Sequence, residues 1–266
     1  MDIYSRFRIT DKIAIVVGGS GQLGSKTVDV LLDAGCKVIN LDLLGNRNLD
    51  SKNRKNYFYF KLDISKEINV KKISLIIKKK FKKIDILINH SHYKGDKKKL
   101  TPFHNFFASI ENYSSKIWEK TMKVNIDGLF FCTKYFLPLL IKNKKSVIIN
   151  TSSTYGKVSP NKNIYGNSGI NSPISYATTK FAIIGFTKYL ACHYAHKGLR
   201  ANVIIPGGVQ NKKQSKEFLK KYSELTPMQR LSESHEYKEA ILYLVSDASS
   251  YVTGSEMVID GGYTAW

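Results

Sequence analysis

Tyr176 and Lys180 stand four residues apart in Ser175-Tyr176-Ala177-Thr178-Thr179-Lys180. On a helix that spacing puts both side chains on one face. A phenol titrates near ~10 and is a poor acid or base at neutral pH. A neighbouring ammonium stabilises the phenolate and brings that value down. The pair is a candidate acid/base, although Tyr-x-x-x-Lys alone also describes an ordinary amphipathic helix. Two further groups join it. A strand at Val147–Asn150 runs into Thr151-Ser152-Ser153-Thr154-Tyr155-Gly156. A serine at the C-terminal end of a parallel strand faces the ligand crevice. There the Ser153 hydroxyl can hydrogen-bond a carbonyl or alcohol oxygen as charge develops on it. Asn125, in Val124-Asn125-Ile126-Asp127-Gly128, is a helical amide able to hold a water for proton relay.

A second constellation points to a dinucleotide. Val17-Gly18-Gly19-Ser20-Gly21-Gln22-Leu23-Gly24 follows a short β-branched run and opens into a helix. Glycines permit the tight turn, and backbone N–H groups at a helix N-terminus attract a pyrophosphate. Gly18, Ser20, Gly21, Gln22, Leu23 and Gly24 are the candidate contacts. Asp42 ends the second strand, 18 residues after Gly24. Its carboxylate can accept from ribose hydroxyls and repels a 2′-phosphate, which favours NAD over NADP. Arg47 nearby argues the other way. Asp63, followed by Ile64, can meet the adenine amino group; it can equally cap a turn. Lys180 can also hold a nicotinamide ribose.

These groups need a scaffold. Strand-like runs fall at Ile13–Val17, Lys37–Leu41, Tyr57–Lys61, Ile84–Ile88, Ser146–Asn150, Arg200–Ile205 and Met257–Ile259. Helix-length stretches alternate with them: Leu23–Ala34, Asn69–Lys80, Ser114–Ile141, Ser175–His196 and His235–Ser246. Pro138 is expected to bend or end the third. Asn211–Tyr222 reads as an exposed helix between loops, a candidate lid. The pattern predicts a single α/β domain over residues 1–266. Its core is a Rossmann-type, doubly wound sheet of about seven parallel strands with helices on both faces.

Composition narrows the class. The 266 residues are 42% hydrophobic, enough for one large core. No apolar run approaches the ~18–20 residues of a membrane span. No long apolar stretch follows Arg6 and Arg8, so no secretory signal is expected. Cys36, Cys132 and Cys192 are odd in number and widely spaced, which suits neither a disulfide framework nor a zinc site. Reduced cysteines fit the cytoplasm. A net charge of +21 raises nucleic acid as a partner. Arginine, however, supplies only six of the 42 basic residues, and the lysines are dispersed apart from Lys78–Lys83 and Lys97–Lys99. A solvated basic surface is the simpler reading, with no nucleic acid and no membrane partner.

Together the glycine turn, Asn125, Ser153, Tyr176 and Lys180 resemble the short-chain dehydrogenase/reductase family, over about Lys12 to Gly262. The resemblance implies a catalytic tetrad. Tyr176 is then the acid/base and Ser153 positions substrate. Lys180 tunes Tyr176 and binds ribose, and Asn125 holds the relay water. It implies cofactor contacts at Asn89 and at the Pro206-Gly207 loop, with Val209 donating its N–H to the carboxamide. Thr253-Gly254 and Asp260-Gly261-Gly262 match the family's C-terminal signature. It also implies a homodimer or homotetramer through Ser114–Leu137 and Ser175–His196. Phe130, Phe131, Phe136, Phe186 and Tyr189 would supply the contact; the same aromatics can instead pack on the sheet.

The chain departs from the family at several points. Asn89-His90-Ser91-His92 stands where Asn-Asn-Ala-Gly is usual, and His92 either crowds the cofactor or faces solvent. Gln22 replaces a glycine, Val17 a threonine, and Asn211 a threonine after Pro-Gly. Ser153 and Tyr176 are 23 residues apart instead of about a dozen. The extra polar, glycine-rich residues, near Pro160 to Ser172, are expected to form a loop at the mouth of the site. That loop, Tyr155-Gly156 and the ending Gly261 to Trp266 resemble a subgroup from bacterial surface-sugar and flagellin-modification pathways. The expected activity is NAD(H)-dependent interconversion of a secondary alcohol and a ketone on a small sugar- or polyol-derived substrate, possible phosphorylation included. A 3-oxoacyl-[acyl-carrier-protein] reductase is the alternative within the class. A silent nucleotide-binding regulatory protein is the alternative outside it. No metal is expected.

Overall fold

Residues that alternate apolar side chains on two faces build the centre of this protein. The computed structural model describes residues 2–45, 54–95, 105–166 and 171–266. Arg47 and Lys97–Lys99 lie outside them. The strands are β1 (Ile13–Val17), β2 (Lys37–Asp42), β3 (Tyr57–Lys61), β4 (Ile86–Asn89), β5 (Ser146–Thr151), β6 (Leu199–Pro206) and β7 (Glu256–Ile259). They form one parallel sheet in the order β3-β2-β1-β4-β5-β6-β7. The α-helices are α1 (Gln22–Asp33), α2 (Glu67–Phe81), α3 (Ser115–Met122), α4 (Gly128–Leu140), α5 (Ile174–Tyr194), α6 (Lys216–Glu224) and α7 (Lys238–Val245).

Successive residues of β1 serve opposite layers, as strand geometry requires. Ile13, Ile15 and Val17 pack with Cys132 and Phe136 of α4 and Leu190 of α5. Ala14 and Val16 pack with Val28, Leu31 and Leu32 of α1 and Ile241 and Leu244 of α7. The sheet is therefore covered on both faces. Its order reverses between β1 and β4, the place where an open α/β sheet leaves a crevice at its C-terminal edge.

The opposite edge is tied by Asp85. Its buried carboxylate accepts from the Ile13 N–H at 2.8 Å and from the Asn143 amide, with Lys83 at 3.6 Å. One side chain thereby joins the start of β1, the approach to β4 and the loop before β5.

Sequence and structure differ at element ends and in two interiors. β4 begins later than its apolar run because Ile84 and Asp85 bond to Leu139 and Ile13 outside the ladder. The expected helix over Ser114–Ile141 is interrupted by a π-helical turn at Lys123–Asp127. Pro138 neither ends nor breaks α4 at its own position; the helix runs on to Leu140. The expected lid helix is shorter, α6, with Ser215 as its N-cap accepting from the Phe218 N–H at 3.2 Å. It is not wholly exposed, since Tyr222 is buried. His235–Ser246 divides into a 3₁₀ turn, Ser234–Tyr237, and α7. The three cysteines are free, and Cys192 alone is exposed.

Asp85→Ala is expected to cost about 2–4 kcal/mol by stranding the Ile13 N–H and the Asn143 amide. Urea unfolding should show that loss. An unchanged midpoint would remove Asp85 from this role.

Candidate active site

The crevice between β1, β4 and β5 holds a cleft of about 270 Å³ lined by Val17, Asn89, Ser91, Asn125, Thr151 and Ile183, among others. Gly18 lets the turn pack directly on the backbone after β4. It has φ +81°, and a Cβ there would lie 2.7 Å from the Ser91 nitrogen. A side chain is excluded by both conformation and contact. Gly21 caps α1 without a side-chain bond, so the helix presents free-standing backbone geometry at its start. Gly24 sits directly on the Gly18 carbonyl, which fixes the helix against the turn.

Asp42 stands at the end of β2 and is half-buried. Its carboxylate accepts from the Ser20 N–H at 3.0 Å and the Leu44 N–H at 3.1 Å. Ser20 in turn donates to the Leu44 carbonyl at 2.7 Å. Asp63 takes the capping role: it accepts from the Ser65 N–H at 3.0 Å and hydroxyl at 2.6 Å. Ile64 is buried against Gly128. Pro206 ends β6, the Gly207 N–H donates to Ile259 at 2.9 Å, and Val209 pairs with Ser232. Leu23 packs against the sheet layer of α1. Gln22 is exposed and reaches across to the Gln210 carbonyl at 2.6 Å, joining the glycine turn to the loop after β6.

The chemistry-bearing residues converge on the ends of β4 and β5. Asn89 donates to Asn150 at 2.8 Å, and Asn150 donates to Thr187 at 2.9 Å. The buried Asn89 Oδ1 has no partner among the described residues and borders the cleft. Lys180 is 1% exposed and donates to the Thr151 carbonyl at 2.8 Å. Its Nζ lies 5.4 Å from the centroid of the Tyr176 ring. Ser153 lies beside the Tyr176 phenol and accepts from the Tyr155 N–H at 3.3 Å.

Two sequence expectations change here. Burial pushes the Tyr176 phenol up to about 12, with the Ser153 hydrogen bond opposing that rise. Burial also pulls Lys180 down to about 7, and the charge of Lys94 adds to this. Spacing placed the two side chains together, but desolvation outweighs the expected depression of the phenol. The Asn125 amide, expected to hold a water, is committed to protein. It accepts from the Tyr93 N–H at 2.6 Å and donates to the Tyr93 carbonyl at 3.0 Å and to Thr179 at 3.1 Å. Its π turn aims the amide at the segment leaving β4, and such turns recur at functional sites.

Sequence reasoning missed His90. Both its ring nitrogens meet threonines at 2.8 Å, Thr27 of α1 and Thr151 of β5. Burial and the Lys180 charge pull it down to about 3, so it is neutral. The signal was there in Asn89-His90-Ser91-His92, where His92 drew the attention. His92 itself is exposed, edge-on to Tyr176 at 5.9 Å.

The whole arrangement can orient a substrate oxygen with Ser153 and exchange a proton with it through Tyr176. Among the described residues no cluster of His, Cys, Asp or Glu is suited to a metal. No helix of the described residues is long and apolar enough to cross a membrane.

Between about pH 7 and 10 the unfolded chain protonates Lys180 while the folded chain does not. Stability therefore rises with pH across that window. Relative to Lys180→Met, the wild type should gain up to about 1.4 kcal/mol per pH unit. Parallel urea titrations at pH 6.5 and 9.5 would show this; equal slopes would rule out a neutral buried amine.

Known proteins resemble this chain in sequence and fold. A family profile described as enoyl-(acyl carrier protein) reductase matches residues 20–264. The chain is 30% identical to an uncharacterized oxidoreductase, YxbG, of Bacillus subtilis, over 97% of this chain and 93% of that protein. It is also 30% identical to a 2,5-dichloro-2,5-cyclohexadiene-1,4-diol dehydrogenase of Sphingobium indicum, over 97% and 98% of the two chains. A crystal structure of a short chain dehydrogenase from Leptospira borgpetersenii with bound NAD+ superposes with a TM-score of 0.85. That pair is 33% identical, over 97% of this chain and 94% of the other. On its sequence, its sheet order and these likenesses, the chain belongs to the short-chain dehydrogenase/reductase family.

Proposed function

We propose that this protein is an NAD(H)-dependent oxidoreductase that interconverts a secondary alcohol and a ketone on a polar, sugar- or polyol-derived substrate. The observation that carries the reading is the placement of Ser153 beside the Tyr176 phenol, with the buried Lys180 amine 5.4 Å from the Tyr176 ring centre. The residues present fit a dinucleotide. The exposed Gly21 leaves the start of α1 uncovered by any side chain of its own, and the unpartnered Asn89 Oδ1 offers a buried acceptor at the cleft. Gly18 and Ser20 to Gly24 would hold the pyrophosphate. Asp42 would meet the adenosine ribose, where its carboxylate disfavours a 2′-phosphate and hence NADP. Asp63 and Ile64 would border the adenine. Asn89, Lys180, Pro206, Gly207 and Val209 would border the nicotinamide end. When bound, the nicotinamide supplies or accepts hydride.

Ser153 holds the substrate oxygen. Tyr176 delivers a proton to that oxygen in reduction and removes it in oxidation. Lys180 anchors to the Thr151 carbonyl and stands ready to hydrogen-bond a ribose hydroxyl. Asn125 fixes the backbone of Tyr93 and, through Thr179, the helix that carries Tyr176. A phenol pushed up to about 12 is protonated at neutral pH and is poised to donate.

The polar-substrate reading is supported by likeness to a diol dehydrogenase. Kinship with surface-sugar and flagellin-modification enzymes rests on the long Ser153–Tyr176 interval and the C-terminal residues alone. A homo-oligomer is supported by exposed Phe130 on α4 and exposed Phe181 and Tyr189 on α5. Phe136, by contrast, is fully buried, and Phe131 and Phe186 pack on the core. The reduced cysteines suit the cytoplasm.

Tyr176→Phe should lower turnover by about 10²–10⁴-fold. NADH affinity, read by nicotinamide fluorescence, should stay within a few-fold, and NADH should bind more tightly than NADPH. Retained turnover would sink the mechanism. In the wild type, alcohol oxidation should accelerate from pH 7 to 10 as phenolate becomes accessible, and ketone reduction should not. A flat oxidation profile would place the base elsewhere.

A further inference from the structure

The segment that lengthens the Ser153–Tyr176 interval is built into the site. Its 3₁₀ turn, Lys162–Tyr165, is capped by Asn161, which accepts from the Asn163 N–H at 3.0 Å. Tyr165 lays its ring on Phe218 of α6, with centroids 5.5 Å apart. Its hydroxyl lies 3.4 Å from that of Tyr155 and hydrogen-bonds Ser172. It is also close enough to Tyr176 to act on it electrostatically.

Tyr155, Tyr222 and Tyr263 complete a group of phenols from separate parts of the chain, and all three are buried. Tyr263 hydrogen-bonds Tyr155. Tyr222 stacks on Tyr263 with centroids 4.8 Å apart and accepts from the Gly208 N–H at 2.7 Å. Among the described residues these four phenols meet other phenols, hydroxyls and a peptide N–H. Burial pushes all four upward, so they stay neutral.

We propose that Tyr165 is a specificity-determining residue that hydrogen-bonds a hydroxyl of a neutral, polyhydroxylated substrate beside Tyr176. The proposal rests on the dehydrogenase reading above. A neutral phenol both donates and accepts, which matches an alcohol group. A carboxylate or phosphate brought among these phenols would lose its hydration with no cation in the group to offset it. A plain hydrocarbon chain could neither donate to the Tyr165 hydroxyl nor accept from it. Tyr165→Phe removes one oxygen and keeps the ring on Phe218, so α6 and the turn stay docked.

The test uses the full-length protein with NAD. The probes are glycerol, erythritol, xylitol, sorbitol and myo-inositol, against cyclohexanol and 2-butanol, with sorbitol 6-phosphate as the charged probe. The wild type should prefer a neutral polyol. Tyr165→Phe should lose at least about tenfold more kcat/KM on that polyol than on cyclohexanol, mostly through KM, at unchanged NADH affinity. Equal losses on both alcohols would make Tyr165 merely structural and overturn the proposal. So would a wild-type preference for the phosphorylated probe or the simple alcohols. Wild-type turnover of a polyol with no effect of Tyr165→Phe overturns the proposal alone. No turnover of any alcohol or of the matching ketones, with either cofactor, overturns the dehydrogenase reading and the proposal with it.

Discussion

Thr151 is the joint on which the site depends. Its carbonyl accepts from Lys180 and its hydroxyl meets His90, both at 2.8 Å. Lys180 is a nearly solvent-free amine, and no carboxylate among the described residues pairs with it. Removing an ammonium from water costs several kcal/mol even after relaxation. That cost appears directly as the drop of Lys180 to about 7. The carbonyl bond holds the amine at the end of β5, where a ribose hydroxyl would supply a further partner. His90 is kept neutral chiefly by its own burial. Its two threonine partners satisfy both ring nitrogens without any charge. The histidine is thus a neutral strut between α1 and β5.

The same logic explains the polar interior of α5. Ser175, Thr179, Lys180 and Thr187 are all buried on a helix whose other inward residues are apolar. Each has a partner on a neighbouring element or on its own preceding turn. Ser175 meets Tyr113 at 2.7 Å and Thr121 at 3.1 Å, and Thr179 meets Asn125. These bonds fix the rotation of α5, and so the direction of Tyr176, without spending the Tyr176 hydroxyl. The π turn before α4 serves the same end. A regular α-turn would point Asn125 elsewhere, and the segment after β4 would lose its backbone clamp.

Most of the scaffold was legible because its signals are local. β-branched runs, a glycine turn between strand and helix, and a four-residue Tyr–Lys spacing each carry their meaning within a few residues. What escaped was set by distant partners. The π turn exists because Asn125 has Tyr93 to hold. Asp63 could cap or bind, and only its meeting with Ser65 shows that it caps. Spacing put Lys180 beside Tyr176 but carried no information about the water excluded around them. Hence the expected lowered phenol became a raised one. Phe136 likewise read as an interface aromatic, because sequence does not tell which side of α4 faces the sheet.

The loop after β6 couples the two halves of the crevice. On the cofactor side, Gln22 holds the Gln210 carbonyl. On the substrate side, the Gly208 N–H donates to Tyr222 of α6. Ser232 fastens the same stretch: its N–H and hydroxyl donate to the Gly208 carbonyl, and its carbonyl accepts from the Gln210 N–H. A displacement of α6 therefore cannot leave the loop unaffected, since Tyr222 shares its backbone. Nor can the glycine turn shift without pulling on Gln22. The residue that departs from the family's glycine and the segment that departs from its usual length thus act on one piece of backbone. Tyr165 bears on α6 through Phe218 and α6 on the loop through Tyr222, while Gln22 restrains the same loop from the other side.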